Sequence, residues 1–120
     1  MTYQQVIPTL LVRVPEFRDT YEGLRSWAGQ DVGANVVFGG LFDFVTDLCK
    51  GLSVSPESNA LLQKILAFVE ECSSSQDPET QNLVQVSFME HIRRNESSHQ
   101  YVVRLLGPHS LELLRLAESW

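Results

Sequence analysis

Asp77-Pro78-Glu79-Thr80-Gln81-Asn82-Leu83-Val84-Gln85-Val86-Ser87-Phe88-Met89-Glu90 joins a well-formed helix start to a helix body that is apolar on almost every side. The Asp77 carboxylate can accept hydrogen bonds from the free amides of a first turn. Pro78 sits where its missing N–H costs nothing, and Glu79 lies at the positive end of the helix dipole. Leu83, Val84, Val86, Phe88, Met89 and Ile92 spread around nearly the full circumference, which predicts a helix enclosed by others at the centre of a bundle. Gln81, Asn82 and Gln85 share an arc with Met89 and are expected to hydrogen-bond neighbouring turns.

The flanking segments read the same way. Upstream, Ser55-Pro56-Glu57 repeats the cap, proline and acid order and opens a helix whose apolar arc runs from Phe68 through Leu61, Ile65 and Val69 to Leu66. An arc that wide touches more than one neighbour, and Ser73-Ser74-Ser75-Gln76 is a short polar turn after it. Before it, Phe38, Leu41, Phe42, Val45, Leu48, Cys49 and Leu52 fall on one side of a helix, with Asp43, Asp47 and Lys50 on the other. The Gly39-Gly40 pair leaves two options there: the helix begins after Gly40, with Val36-Val37-Phe38 extended, or backbones approach closely. Pro15-Glu16 opens a helix with Phe17, Tyr21 and Leu24 stacked, ending near Gly29. Tyr3 to Val12 forms a first helix that Pro8 can kink.

Downstream, Tyr101, Val102, Leu105 and Leu106 form a short helix closed by Gly107-Pro108. A last helix runs from His109 or Ser110 to the end, with Leu113, Leu116, Ala117 and Trp120 in one stripe and Leu111 with Leu114 in another. No strand pair is visible. The expectation is an all-α chain, one domain over residues 1–120, built as an irregular bundle or HEAT-like array of about six to seven short antiparallel helices.

With 120 residues, 43% of them hydrophobic, there is apolar material for one core. A net charge of -6 and a pI near 4.9 argue against nucleic acid and anionic membranes, which demand basic patches, and only Arg93-Arg94 breaks the trend. The charge-free run from Val32 to Phe42 falls well short of the roughly 20 apolar residues that span a bilayer. Gln4, Gln5, Pro8 and Arg13 interrupt any apolar leader, so a cytoplasmic location is expected. Cys49 and Cys72 have no Cys-x-x-Cys spacing and read as reduced core thiols.

The residues that could run chemistry are not arranged for it. His91, His99 and His109 sit in no metal-ligand motif, and the adjacent Glu90 and His91 point about 100° apart on a helix. Ser97, Ser98 and His99 read as cap and turn residues. Gly39-Gly40 lacks phosphate-loop spacing. No catalytic residue, cofactor or metal is expected. Asp43 and Asp47, four apart, read as a solvated acidic face or as a protein-contact patch.

Ile7-Pro8, Pro15-Glu16-Phe17, Val36-Val37-Phe38-Gly39, Asp77-Pro78-Glu79-Thr80-Gln81-Asn82 with Val86-Ser87, and Leu106-Gly107-Pro108 together resemble a family of short bacterial all-helical domains of unknown function, over essentially the whole chain. That family resembles the small acidic immunity proteins found beside polymorphic toxins. The resemblance implies a protein that neutralises a cognate toxin domain, a basic one if the toxin acts on nucleic acid. Between Glu16 and Asp47 the chain carries Glu16, Asp19, Glu22, Asp31, Asp43 and Asp47 against only Arg18 and Arg25, and this region is the expected contact. Phe44 lies about 100° off the centre of its helix's apolar arc, either an aromatic anchor beside those acids or a groove-filler against a neighbouring helix. The other reading is a structural or adaptor module that homodimerises through Leu111 and Leu114 of the last helix.

Overall fold

Asp77 caps two helices. In the computed structural model its Oδ1 accepts from the Glu79 amide at 3.1 Å, and its Oδ2 accepts from the Tyr3 amide at 2.8 Å and from Thr80 Oγ1 at 3.2 Å. The first of these is the local cap the sequence predicts. The second satisfies a free amide in the first turn of a helix that begins far away in sequence. These donors, the Tyr3 amide foremost, hold the Asp77 carboxyl below the usual carboxylate range. Around it, Ser75 Oγ donates to the Met1 carbonyl at 2.5 Å and accepts from the Asp77 amide at 3.1 Å, and Gln81 Nε2 donates to the Ser75 carbonyl at 2.5 Å. Gln81 therefore does bond a neighbouring turn.

The structure describes residues 1–28, 33–51 and 56–119, and the expectations that rest on Gly29, Asp31, Leu52, Ser55 and Trp120 fall outside them. The elements are α1 (Tyr3–Arg13), a 3-10 turn (Pro15–Phe17), α2 (Arg18–Ala28), α3 (Ala34–Gly51), α4 (Pro56–Ser73), α5 (Pro78–Ser87), a second 3-10 turn (Met89–His91), α6 (Ser97–Leu105) and α7 (Pro108–Glu118). No strand occurs among the described residues. Pro8 lies inside α1 without ending it.

α5 packs against α1, α3, α4 and α7, but α3 meets α1, α2, α4, α5 and α6, so α5 shares the centre and does not hold it alone. Its length and enclosure need correcting. The helix ends at Ser87, Phe88 leaves helical geometry with φ -128° and ψ -61°, and Val86 is exposed. Thr80, Leu83, Val84 and Ser87 define the buried side. In an unbroken helix Met89 would point about 170° from that side. The break turns the chain so that Phe88, Met89 and Ile92 all go inside. Apolar residues on every side thus record a change of direction and not a helix surrounded all round.

α3 continues through Gly39-Gly40, so Val36, Val37 and Phe38 are helical and the extended option is wrong. Close approach of backbones is not what the glycines permit either: a Cβ on Gly40 would lie 2.7 Å from Leu24 Cδ1, the tip of a side chain of α2, and one on Gly39 would meet nothing within 4 Å. The core joins Phe38, Leu41, Phe42 and Val45 of α3 to Leu62, Ile65, Phe68 and Val69 of α4 and to Phe88, with the Phe42 and Phe88 rings edge to face at 5.2 Å. α1 lies on α4 and α5, and α7 also lies on α4 and α5. Contacts so distant in order favour the irregular bundle over a solenoid, in which each unit touches only its neighbours.

α7 has Gly107 at its N-cap position and so no cap of its own. Glu70 of α4 supplies one, accepting from the Ser110 amide at 2.9 Å and the His109 amide at 3.1 Å, with His109 Nδ1 at 2.6 Å. Burial pushes the Glu70 carboxyl upward, but the Ser110 amide, the His109 ring and the His109 amide outweigh it and leave the group below its ordinary value. A Cβ on Gly107 would lie 2.5 Å from Glu70 Cδ, so any larger residue displaces the cap.

Thermal unfolding tests these contacts. Asp77→Ala should lower the midpoint by about 5 °C, since two helix ends lose an acceptor, and Asp77→Asn should recover part of the loss. Glu70→Gln and Gly107→Ala should each destabilise, and the double variant should be no worse than the more damaging single one, because both remove the same cap. Glu70's folded pKa is depressed, so its contribution is present at neutral pH and should disappear as pH falls through the carboxylate range, an acid sensitivity that Glu70→Gln should lessen. Gly39→Ala should stabilise by about 1 kcal/mol, and Gly40→Ala should gain less because Leu24 must move.

Candidate functional site

The acids named from the sequence lie on α2, α3 and the turn before α2, and they divide by whether a cation already holds them. Glu16 takes Lys64 Nζ at 2.8 Å, and this pairing holds its carboxyl below the usual range. Glu22 pairs with Arg25 of its own helix at 3.3 Å. Asp19, Asp43 and Asp47 are exposed and make no ion pair among the described residues. Asp43 and Asp47 stand one turn apart on α3, opposite the buried Phe38, Leu41, Phe42 and Val45, as the helical spacing predicts. Asp31 lies outside the described residues.

Elsewhere the surface charges are largely spent on each other. Glu71 pairs with Arg13, Glu118 with Arg94 at 2.5 Å and Glu112 with Arg115 at 2.5 Å. Such exposed pairs add little to stability, but they neutralise the field locally. The Arg93-Arg94 dipeptide is therefore no basic patch: Arg94 is held by Glu118, and Arg93 Nη1 donates to the Glu90 carbonyl at 2.9 Å.

Phe44 is half-buried, its ring set edge-on to Phe17 at 5.6 Å, so α3 and the turn before α2 share it. The more exposed aromatic is Trp27 at the end of α2, with 80% of its surface open, and the sequence reading passed over it. A signal existed: with Tyr21 and Leu24 inward, helical spacing puts Trp27 about 90° from the centre of the apolar arc. A large apolar residue there reads as an edge of the stripe, and only the packing of α2 shows how open it stays among the described residues.

The histidines have structural work. His99 is buried, accepts the Arg93 amide on Nδ1 at 2.8 Å and sits edge-on to Phe42 at 5.1 Å. His109 belongs to the α7 cap, and His91 is exposed beside the Phe42 ring. Burial pushes the Cys49 thiol up to about 11 and the Cys72 thiol up to about 12, so neither forms a nucleophilic thiolate at neutral pH. No group of three His, Cys, Asp or Glu side chains among the described residues could hold a metal ion. An open hollow of about 540 Å³ is lined by Cys49, Lys50, Ser97, Ser98 and Tyr101, with the Tyr101 hydroxyl donating to Asn59 at 3.1 Å. Among the described residues, no helix is long and apolar enough to cross a membrane.

Across residues 7–118 the sequence matches DUF7674, a domain of unknown function, and the chain belongs to that family. Neither the curated proteins nor the solved structures contain a match to it.

Proposed function

We propose that this member of the family is an immunity protein that binds and occludes a cognate basic toxin domain in the bacterial cytoplasm, through the acidic surface of α2 and α3. The observation that carries the reading is the exposed Asp43 and Asp47 pair, which no cation neutralises among the described residues, where most other acids are tied to arginine, lysine or histidine. Unpaired surface carboxylates repel one another and weakly disfavour the fold, so a partner that neutralises them gains what the free protein lacks. Their field also steers a basic partner to that face. Glu16 and Glu22 would join by exchanging their present lysine and arginine for the partner's, and Phe44 would add the apolar part it leaves exposed. The resemblance to immunity proteins agrees with this reading.

A homodimerising adaptor has less to stand on. Leu113 and Leu114 are buried, and the exposed Leu111 and Leu116 lie about 140° apart around α7, so they form no continuous stripe.

Co-expression with the toxin encoded beside the gene should restore growth. For the purified pair, Asp43→Lys with Asp47→Lys should slow association by about 10-fold at low salt and flatten its dependence on salt, leaving thermal stability unchanged. A neighbour that is harmless alone, or association indifferent to both reversals, would overturn the proposal.

A further inference from the structure

We infer that Trp27 is the anchor of this surface and takes a cationic side chain from a basic helical segment laid along α2, with Asp19 receiving a second cation two turns away. This rests on the acidic-surface reading above and specifies where and how the partner is held.

Three features of α2 converge on it. Trp27 keeps 80% of its surface open, although tryptophan is among the residues that gain most from burial and is enriched where binding energy concentrates. The indole face is also the best aromatic surface for an ammonium or guanidinium group. Secondly, Asp19, Gly23 and Trp27 follow one another at four-residue spacing, and Gly23 falls midway between the other two, about 40° from each around the helix. Gly23 is exposed, and a Cβ built on it would meet nothing within 4 Å. Bare backbone therefore separates the aromatic from the acid, and a partner helix can lie close against it. Asp19 and Trp27 are about 12 Å apart along the axis, the span of residues i and i+8 in a partner helix.

The third feature is charge. The cations of α2 lie away from Trp27: Arg18 is about 180° and Arg25 about 160° around the helix from it. Arg25 is further held on that far side by Glu22 and over the Tyr21 ring, at 5.9 Å from its centroid. The charged residue of α2 that comes nearest to Trp27 around the helix is Asp19, about 80° away, and the chain as a whole carries a net charge of -6. An anionic occupant is repelled, and a second copy brings the same acids to the contact. A cationic segment gains from both the ring and the carboxylate.

The probe is a stabilised helical peptide with arginines at i and i+8 and no other charge, titrated into the full chain carrying Trp120→Phe so that fluorescence reports Trp27 alone. Binding should shift the emission to shorter wavelength and shield Trp27 from acrylamide. Trp27→Ala should weaken it about 10-fold or more, and Asp19→Asn about 3-fold. Gly23→Leu, which fills the bare shelf, should weaken it while leaving the helix folded by circular dichroism. Binding that survives Trp27→Ala but is lost with Asp43→Lys and Asp47→Lys would overturn the anchor and spare the acidic surface as the basic partner's site. Failure to bind any arginine peptide would overturn the anchor, whereas toxin association indifferent to the reversal of Asp43 and Asp47 would overturn the underlying reading. Equal binding of a peptide with norleucine in place of both arginines would show an apolar occupant, and sedimentation as a dimer lost in Trp27→Ala would show a second copy. Either would overturn the cationic assignment.

Discussion

Two carboxylates, Asp77 and Glu70, fix where the ends of the chain go. Short helices of about ten residues are marginal in isolation, and their stability comes from packing. Packing an end against the rest of the molecule also hides amides that water would otherwise satisfy. Asp77 meets that demand for α1 and α5 together, and Glu70 meets it for α7. Both acceptors sit around the junction of α4 with α5, so the most firmly connected part of the molecule is a turn. Ser75 and Gln81 add further bonds to the same junction, and Ser73 Oγ reaches Ser110 Oγ at 3.0 Å on the α7 side. The apolar core gives the helices a reason to meet, and the carboxylates set the register in which they do so.

Local grammar was legible in the sequence; relations between distant segments were not. Asp77-Pro78-Glu79 announced a helix start because a cap, a proline and an acid act within one turn. The alternation of Phe38, Leu41, Phe42 and Val45 with Asp43 and Asp47 announced two faces of α3 for the same reason. The second duty of Asp77 was invisible because its donor, Tyr3, lies 74 residues away. Glu70 was equally invisible, since nothing in its neighbourhood says that α7 lacks a cap. The end of α5 was misplaced because periodicity assumes a straight axis, and Phe88 bends it.

The surface followed a similar division. Which acids face solvent could be read from helical spacing, but which of them are already neutralised could not, because Glu16 finds its lysine on α4, 48 residues later. That distinction matters more for recognition than the count of acids. It reduces six named carboxylates to Asp19, Asp43 and Asp47 among those the structure describes, with Trp27 exposed at the end of the helix that carries the first.

The bond between Tyr3 and Asp77 also orders events in time. As the chain leaves the ribosome, the first helix emerges long before the carboxylate that completes its first turn. The acceptor for the Tyr3 amide follows 74 residues behind it, and α4 and α5, on which α1 lies, are likewise made after it. α7 meets the opposite circumstance, for Glu70 is in place before the Ser110 amide exists. The first and last helices therefore settle onto the same junction by opposite routes, the one by waiting for its acceptor and the other by finding it already there.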